Sequence, residues 1–170
     1  HVAEFGNSYG TVEEFNFRKN IFDETSAKIA EINSANGTFT VGHNFMSTWT
    51  DAEKKRLNGF VDSGEAMMGA PGTFEASNAT SVNWVTAGAV TRVKNQGDCG
   101  SCWTFATAGA IEGAHAIKYG QLAEFSEQQL ANCNKNKWNN GCQGGSVAKA
   151  FEFLQSTPFW SYASYPYTSG

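Results

Sequence analysis

Apolar positions in the first part of the chain recur at helical spacing. Phe15, Phe22 and Ile29 stand seven apart, Ile32 extends the stripe, and Glu14 with Arg18 makes an i,i+4 pair, so residues 12–33 are predicted to form an amphipathic helix. After Asn36-Gly37, a turn signal, Thr38 to Val41 alternates as a short strand does. Asp51 to Leu57 is read as a short helix capped by Thr50 or Asp51. Residues 58–80, rich in Gly, Ala and Ser and containing Pro71, read as an extended linker. A second long helix is predicted over 104–118, with Trp103, Ala106, Ala110, Ala114 and Ile117 on a core-like face. Gly109 and Gly113 each cost that helix about 1 kcal/mol relative to Ala, which predicts something packed close to its backbone. Ser126 with Gln129 forms a capping box that opens a helix through Cys133, and residues 146–154 read as a further helix.

Length and charge narrow the class. At 170 residues the chain can bury one domain's core, or carry a smaller domain with an appendage. Glycine is abundant at 18 residues and aromatics reach 14%, which suits a loop-rich globular protein. The net charge of −4 is uneven: residues 1–75 hold 6 Lys/Arg against 11 Asp/Glu, and residues 76–170 hold 6 against 5. An acidic segment thus precedes a nearly neutral one, and nucleic acid is not an expected partner. No apolar run approaches the roughly 18 residues of a membrane span, and no basic-then-apolar leader precedes His1. The Asn-x-Ser/Thr sequons at Asn36 and Asn78 suit a secreted or lysosomal chain.

The chemistry concentrates in Gln96-Gly97-Asp98-Cys99-Gly100-Ser101-Cys102-Trp103, at the start of the second long helix. A thiol on the first turn of a helix faces unpaired backbone N–H groups and the positive end of the dipole, which favours the thiolate. Gln96, six residues upstream, brings a neutral amide donor suited to an oxyanion formed when that thiolate attacks a carbonyl. Cys99-x-x-Cys102 could also be a redox or zinc motif. Zinc would want a second close pair, whereas Cys133 and Cys142 are nine apart, and a redox motif would want a thioredoxin-like pattern around it. Neither a metal nor a cofactor is expected.

The strip resembles the active-site signature of papain-like cysteine proteases, Cys-Gly-[Ser/Ala]-Cys-[Trp/Tyr]. The resemblance implies an α+β, papain-like fold, mainly its helical left domain, preceded by a helical inhibitory prosegment, with the boundary placed at residues 75 and 76. It implies Cys102 as nucleophile, with Gln96 and the Cys102 backbone N–H as the oxyanion hole. It further implies a Cys99–Cys142 disulfide, Gly144 and Gly145 as backbone partners for an extended peptide, Val147 in the S2 pocket and Trp103 among the substrate-binding residues. Within 12–33, Glu14, Arg18, Phe22, Ile29 and Asn33 match the register of the family's prosegment helix, with Thr25 replacing the usual asparagine. Gly42-His43-Asn44 resembles the start of a second prosegment motif in which Met46 and Thr48 replace the usual Phe and Asp. The linker would lie along the substrate cleft against the productive direction and be cut between Glu65 and Thr80. Ser81-Val82-Asn83-Trp84 resembles the start of the mature enzyme, with Asn83 for the more usual Asp.

A cysteine nucleophile needs a base, and the sequence offers only His1, His43 and His115. His115 lies 13 residues along the same predicted helix, about 20 Å from Cys102. The family's His and Asn come roughly 130–150 residues after the nucleophile, and 68 residues follow Cys102 here. The expectation is therefore a chain lacking the C-terminal part of the peptidase domain, with the partner of Cys133 beyond Gly170. The function expected is a latent cysteine endopeptidase of the secretory pathway, lysosomal, vacuolar or extracellular, acting on peptides and held by its own prosegment. The alternative is a silent relative serving as a binding or structural component or as a prosegment-type inhibitor.

Overall fold

The computed structural model describes residues 1–35, 37–64 and 79–170. Both sequon asparagines, Asn36 and Asn78, and most of the interval expected to be cut lie outside them. The chain divides into two compact units, His1–Lys55 and Arg56–Gly170. Residues 56–64, which the sequence reading groups with the first 75, belong to the second unit.

In the first unit, α1 (Val2–Phe5) is followed by α2 (Val12–Ser34), whose N-cap Thr11 accepts a hydrogen bond from the Glu14 N–H at 3.1 Å. None of the α2 residues is fully buried, so apolar burial alone does not fix this segment. Polar contacts do. Arg18 donates to both Glu53 carboxylate oxygens at 2.6 and 2.7 Å and to the Thr48 carbonyl at 3.1 Å, whereas its i,i+4 partner Glu14 stands 3.9 Å away. Glu53 belongs to α3 (Asp51–Lys55) and closes a capping box with Thr50, so the cap is Thr50 and not Asp51.

Hydrogen bonds from Arg18, reinforced by those from Thr50, outweigh desolvation and hold the Glu53 carboxyl at about 2, below its ordinary 4.5. A depressed carboxyl stabilises the fold fully above its unfolded value, and that stabilisation is lost as pH falls from 4.5 toward 2. Glu53→Gln should therefore loosen α2 by about 1–3 kcal/mol at neutral pH, with the difference disappearing near pH 2. Hydrogen exchange of the 12–34 amides in both chains measures it; a difference that ignores pH would refute the assignment.

The strand expected over 38–41 does not form. The Asn33 side-chain amide takes both backbone groups of Val41, donating to its carbonyl at 2.9 Å and accepting from its N–H at 2.8 Å, so the pairing a neighbouring strand would supply is already satisfied. Phe22 stacks on His43 with ring centroids 4.1 Å apart, Thr25 Oγ1 lies 3.1 Å from the Ser47 carbonyl, and Ile29 is half-buried.

The second unit is built on α4 (Cys102–Tyr119), α5 (Glu127–Cys133) and α6 (Val147–Ser156), with a 3-10 turn at Gly141–Gln143. Trp103, Leu130 and Ala150 form the core, with Val147, Phe153, Leu154 and Phe159 packed against it. Of the face predicted for α4 only Trp103 is buried within this chain: Ala106, Ala110, Ala114 and Ile117 are exposed, and Thr104, Thr107, Ala108, Glu112 and Ala116 are buried. An apolar residue stands on nearly every side of this helix, so periodicity could not choose. Tertiary partners did. The Thr104 and Thr107 hydroxyls donate to the Ser101 and Trp103 carbonyls at 2.9 and 2.8 Å, which makes their burial tolerable. A Cβ on Gly113 would fall 3.3 Å from the Ala89 carbonyl, as the close-packing expectation requires, but nothing lies within 4 Å of one on Gly109. The exposed face and Trp84, Val90 and Gly109 line an open hollow of about 440 Å³.

The capping box at α5 is half formed. Ser126 Oγ accepts from the Gln129 N–H at 3.0 Å, but the Gln129 side chain bonds Pro158 and Trp160, and the Ser126 N–H donates to the Trp160 carbonyl. Among the described residues strand pairing is limited to two isolated bridges, Phe60–Gly145 and Phe125–Ser161, and no helix is long and apolar enough to cross a membrane.

Candidate active site

Cys102 is the first residue of α4, half-buried and unpaired, while Cys99 is bonded to Cys142. That disulfide and the bond from the Gly100 N–H to the Cys142 carbonyl at 3.0 Å join the strip to the loop 139–145. Ser101, the N-cap residue, makes no side-chain cap. Its hydroxyl lies 2.6 Å from Tyr167 Oη, which in turn donates to the Gln96 carbonyl at 2.8 Å. Ser101 thus supplies the proton in the first bond, and Tyr167 ties the residue before Cys102 to the backbone of Gln96. Burial chiefly raises the Tyr167 pKa, with Glu127 adding and the Ser101 bond opposing, so the phenol stays a donor.

Gln96 Nε2 donates to two carbonyls, Cys99 at 2.7 Å and Leu57 at 2.9 Å. Leu57 begins an extended strap that continues past the loop. The Gly145 N–H donates to the Gly59 carbonyl at 2.7 Å and the Val61 N–H to the Gly145 carbonyl at 2.9 Å, a parallel bridge centred on Phe60. Ser63 and Ser146 hydroxyls meet at 3.1 Å, and Phe60 to Ser63 form a hollow of about 330 Å³ with Ser146, Val147 and Ala148. Fit here is tight. A Cβ on Gly59 would fall 1.7 Å from the Gly100 carbonyl oxygen, so only glycine passes this point.

Gly145 is pressed from behind by Trp103, whose ring would lie 2.4 Å from an added Cβ and whose Nε1 donates to the Gly141 carbonyl at 3.1 Å. Trp103 is 1% exposed, which corrects its expected place among the substrate-binding residues: it braces the loop and does not face the groove. Gly144 abuts the Gly59 carbonyl and the Val61 side chain. Cys133 is free and exposed.

Beneath the strip, Lys94 Nζ bonds Glu112 at 2.6 Å and Glu127 at 2.5 Å, both carboxylates being 0–1% exposed. Desolvation lowers the Lys94 pKa, but the two hydrogen bonds and the carboxylate charges outweigh it and the net shift is upward. Glu112 also accepts from Thr91 Oγ1 and the Phe125 N–H, whereas Glu127 Oε2 is buried without a partner. The only histidine among residues 56–170 is His115. Its Nδ1 lies 2.8 Å from the Gln121 carbonyl and its ring packs on Tyr119 and Phe125, so it serves the far end of α4. Among the described residues no cluster of three or more His, Cys, Asp or Glu could hold a metal ion.

Sequence reasoning overlooked Glu53, the Lys94–Glu112–Glu127 cluster and Tyr167. The Thr50-x-x-Glu53 spacing could have revealed the first; the others depend on residues brought together from 18 to 71 positions apart.

The papain family cysteine protease domain matches residues 78–170, and the cathepsin propeptide inhibitor domain matches residues 2–53. Cysteine proteinase 4 of Dictyostelium discoideum is 39% identical over 92% of this chain and 37% of its own length. Digestive cysteine proteinase 1 of Homarus americanus is 36% identical over 97% of this chain and 53% of its own. The structure of digestive procathepsin L 3 from Tenebrio molitor larval midgut superposes with a TM-score of 0.84 at 31% identity, covering 99% of this chain and 56% of that one. The chain therefore spans between a third and somewhat over half of the length of these proteins.

Proposed function

The chain belongs to the papain family of cysteine proteases, and we propose that the whole protein is a cysteine endopeptidase made as a zymogen, with the strap 56–64 holding it latent. One observation carries this reading: an extended stretch of the chain itself lies paired on Gly145 with its Leu57 carbonyl against the Gln96 amide. A groove that receives a backbone in this way receives a substrate backbone by the same donors and acceptors.

In the active form the Cys102 thiolate attacks a peptide carbonyl carbon, and the oxygen, now an anion, accepts from Gln96 Nε2 and the Cys102 N–H. A histidine outside these 170 residues gives its proton to the leaving amine, then takes one from the water that releases the acyl group from Cys102. The exposed face of α4 and the hollow beside Trp84 and Val90 fit a packing surface for the half of the relatives' length that this chain does not span. Gly144 and Gly145 bind the acyl-side backbone, and Val147 lines the pocket that selects its side chain. Residues 1–75 form the inhibitory prosegment, cut between Glu65 and Thr80, in the secretory pathway or outside the cell.

The test is labelling of the full-length, acid-treated protein with an electrophilic epoxide that reacts with papain. Modification mapped to Cys102, with cleavage of an unfolded protein substrate blocked in parallel, is the expected result. An unlabelled Cys102 under conditions where papain reacts defeats the reading and leaves the silent relative.

A further inference from the structure

The strap touches the active-site strip at one side chain that neither the oxyanion donor nor the glycine loop explains. Arg56 Nη2 donates to Asp98 Oδ2 at 3.2 Å, one residue before the Leu57 carbonyl reaches Gln96. Asp98 is the only charged residue of the strip 95–103.

Its position along the groove follows from the strap. Going from Arg56 to Ser63, the strap meets Asp98, then Gln96, then Gly145, then Ser146. The reading above places the acyl side of a substrate at Gly144, Gly145 and Val147, so Asp98 lies past the oxyanion donor on the leaving-group side. Asp98 and Arg56 remain 50% and 59% exposed, so neither side chain is consumed by packing, and a basic group arriving from solvent can replace the one present.

We propose that Asp98 is a specificity residue that selects Lys or Arg on the leaving-group side of the scissile bond, and that Arg56 occupies the same place in the latent chain. The proposal rests on the protease reading for its substrate half only. Pairing between a basic side chain and Asp98 is a property of the groove and can be measured without hydrolysis.

Two measurements separate the cases. In the full-length protein before activation, iodoacetamide labelling of Cys102, resolved from the other cysteines by peptide mass mapping, reads how often the strap leaves the strip. Gly59→Ala, which cannot pass Gly100, is the positive control and should label fastest. Arg56→Ala and Asp98→Asn should each speed labelling about twofold to fivefold, the range of an exposed pair, and the double variant no more than either alone. Additive effects overturn the proposal. In the full-length activated protein, matched peptides differing only as Arg, Gln or Glu on the leaving-group side give the second reading. The Arg-to-Gln ratio of kcat/KM should stand a few-fold above unity, collapse toward unity in Asp98→Asn and invert toward Glu in Asp98→Lys. A ratio unmoved by these changes also overturns it. Coupling in the first experiment without hydrolysis of any peptide defeats the protease reading and leaves basic recognition by Asp98 standing.

Discussion

Replacing Gln96 by Ala should lower turnover of the full-length activated protein by about a hundredfold to a thousandfold, the usual cost of removing one oxyanion donor. In the proposed mechanism the charge that forms on the carbonyl oxygen in the transition state has two donors, and this change deletes the side-chain one. Because the amide meets that oxygen most strongly when it is charged, the loss should fall on kcat and much less on KM. The same amide also donates to the Cys99 carbonyl at 2.7 Å and to the Leu57 carbonyl at 2.9 Å. Circular dichroism and a thermal midpoint close to those of the parent are therefore needed beside the kinetics. Full turnover in a folded Gln96→Ala variant would mean that the donor is misassigned.

Lys94→Met should destabilise the second unit by about 3–5 kcal/mol, the cost of leaving a buried charge without its partner. Glu112 and Glu127 are both fully buried and share this one ammonium. Removing it strands two carboxylates, one of which already has an oxygen with no partner. Converting all three together, Lys94→Met with Glu112→Gln and Glu127→Gln, should recover much of the loss, since an uncharged set of similar shape no longer requires compensation. The raised Lys94 pKa also sets a pH sense: its stabilisation is complete below the ordinary 10.5 and disappears as pH rises through the higher folded value. Urea unfolding of the parent and both variants checks these statements. A single variant within 1 kcal/mol of the parent would show that water reaches the cluster freely.

Elements with a strong local signal were legible before any coordinates. The helix over 12–33 announced itself through Phe15, Phe22 and Ile29, and the strip around Cys102 through its resemblance to a protease signature, since Cys-x-x-Cys alone also suits redox or zinc chemistry. Misreadings arose where a local pattern competed with a distant partner. Thr38 to Val41 alternates as strands do, but the Asn33 amide captured its backbone groups. Gln129 sits at capping-box spacing, but Pro158 and Trp160 offered its side chain other bonds. On α4 the residues buried within this chain are not those predicted, apart from Trp103, because alanines and glycines surround that helix and leave little contrast from which burial could be inferred.

By itself the sequence determined the long helices and the helix start at Cys102, while the roles expected of Cys102, Gln96, Gly144 and Gly145 came with the family resemblance those residues carry. Helices depend on neighbours within a turn or two, where backbone geometry and side-chain type suffice. Only the tertiary structure decided that Glu53 and not Glu14 holds Arg18, that Trp103 stands behind the loop, that Lys94 serves two buried carboxylates, and that Arg56 pairs with Asp98. Those outcomes are set by which groups meet across tens of residues and are removed from water together, and no window of sequence contains both partners.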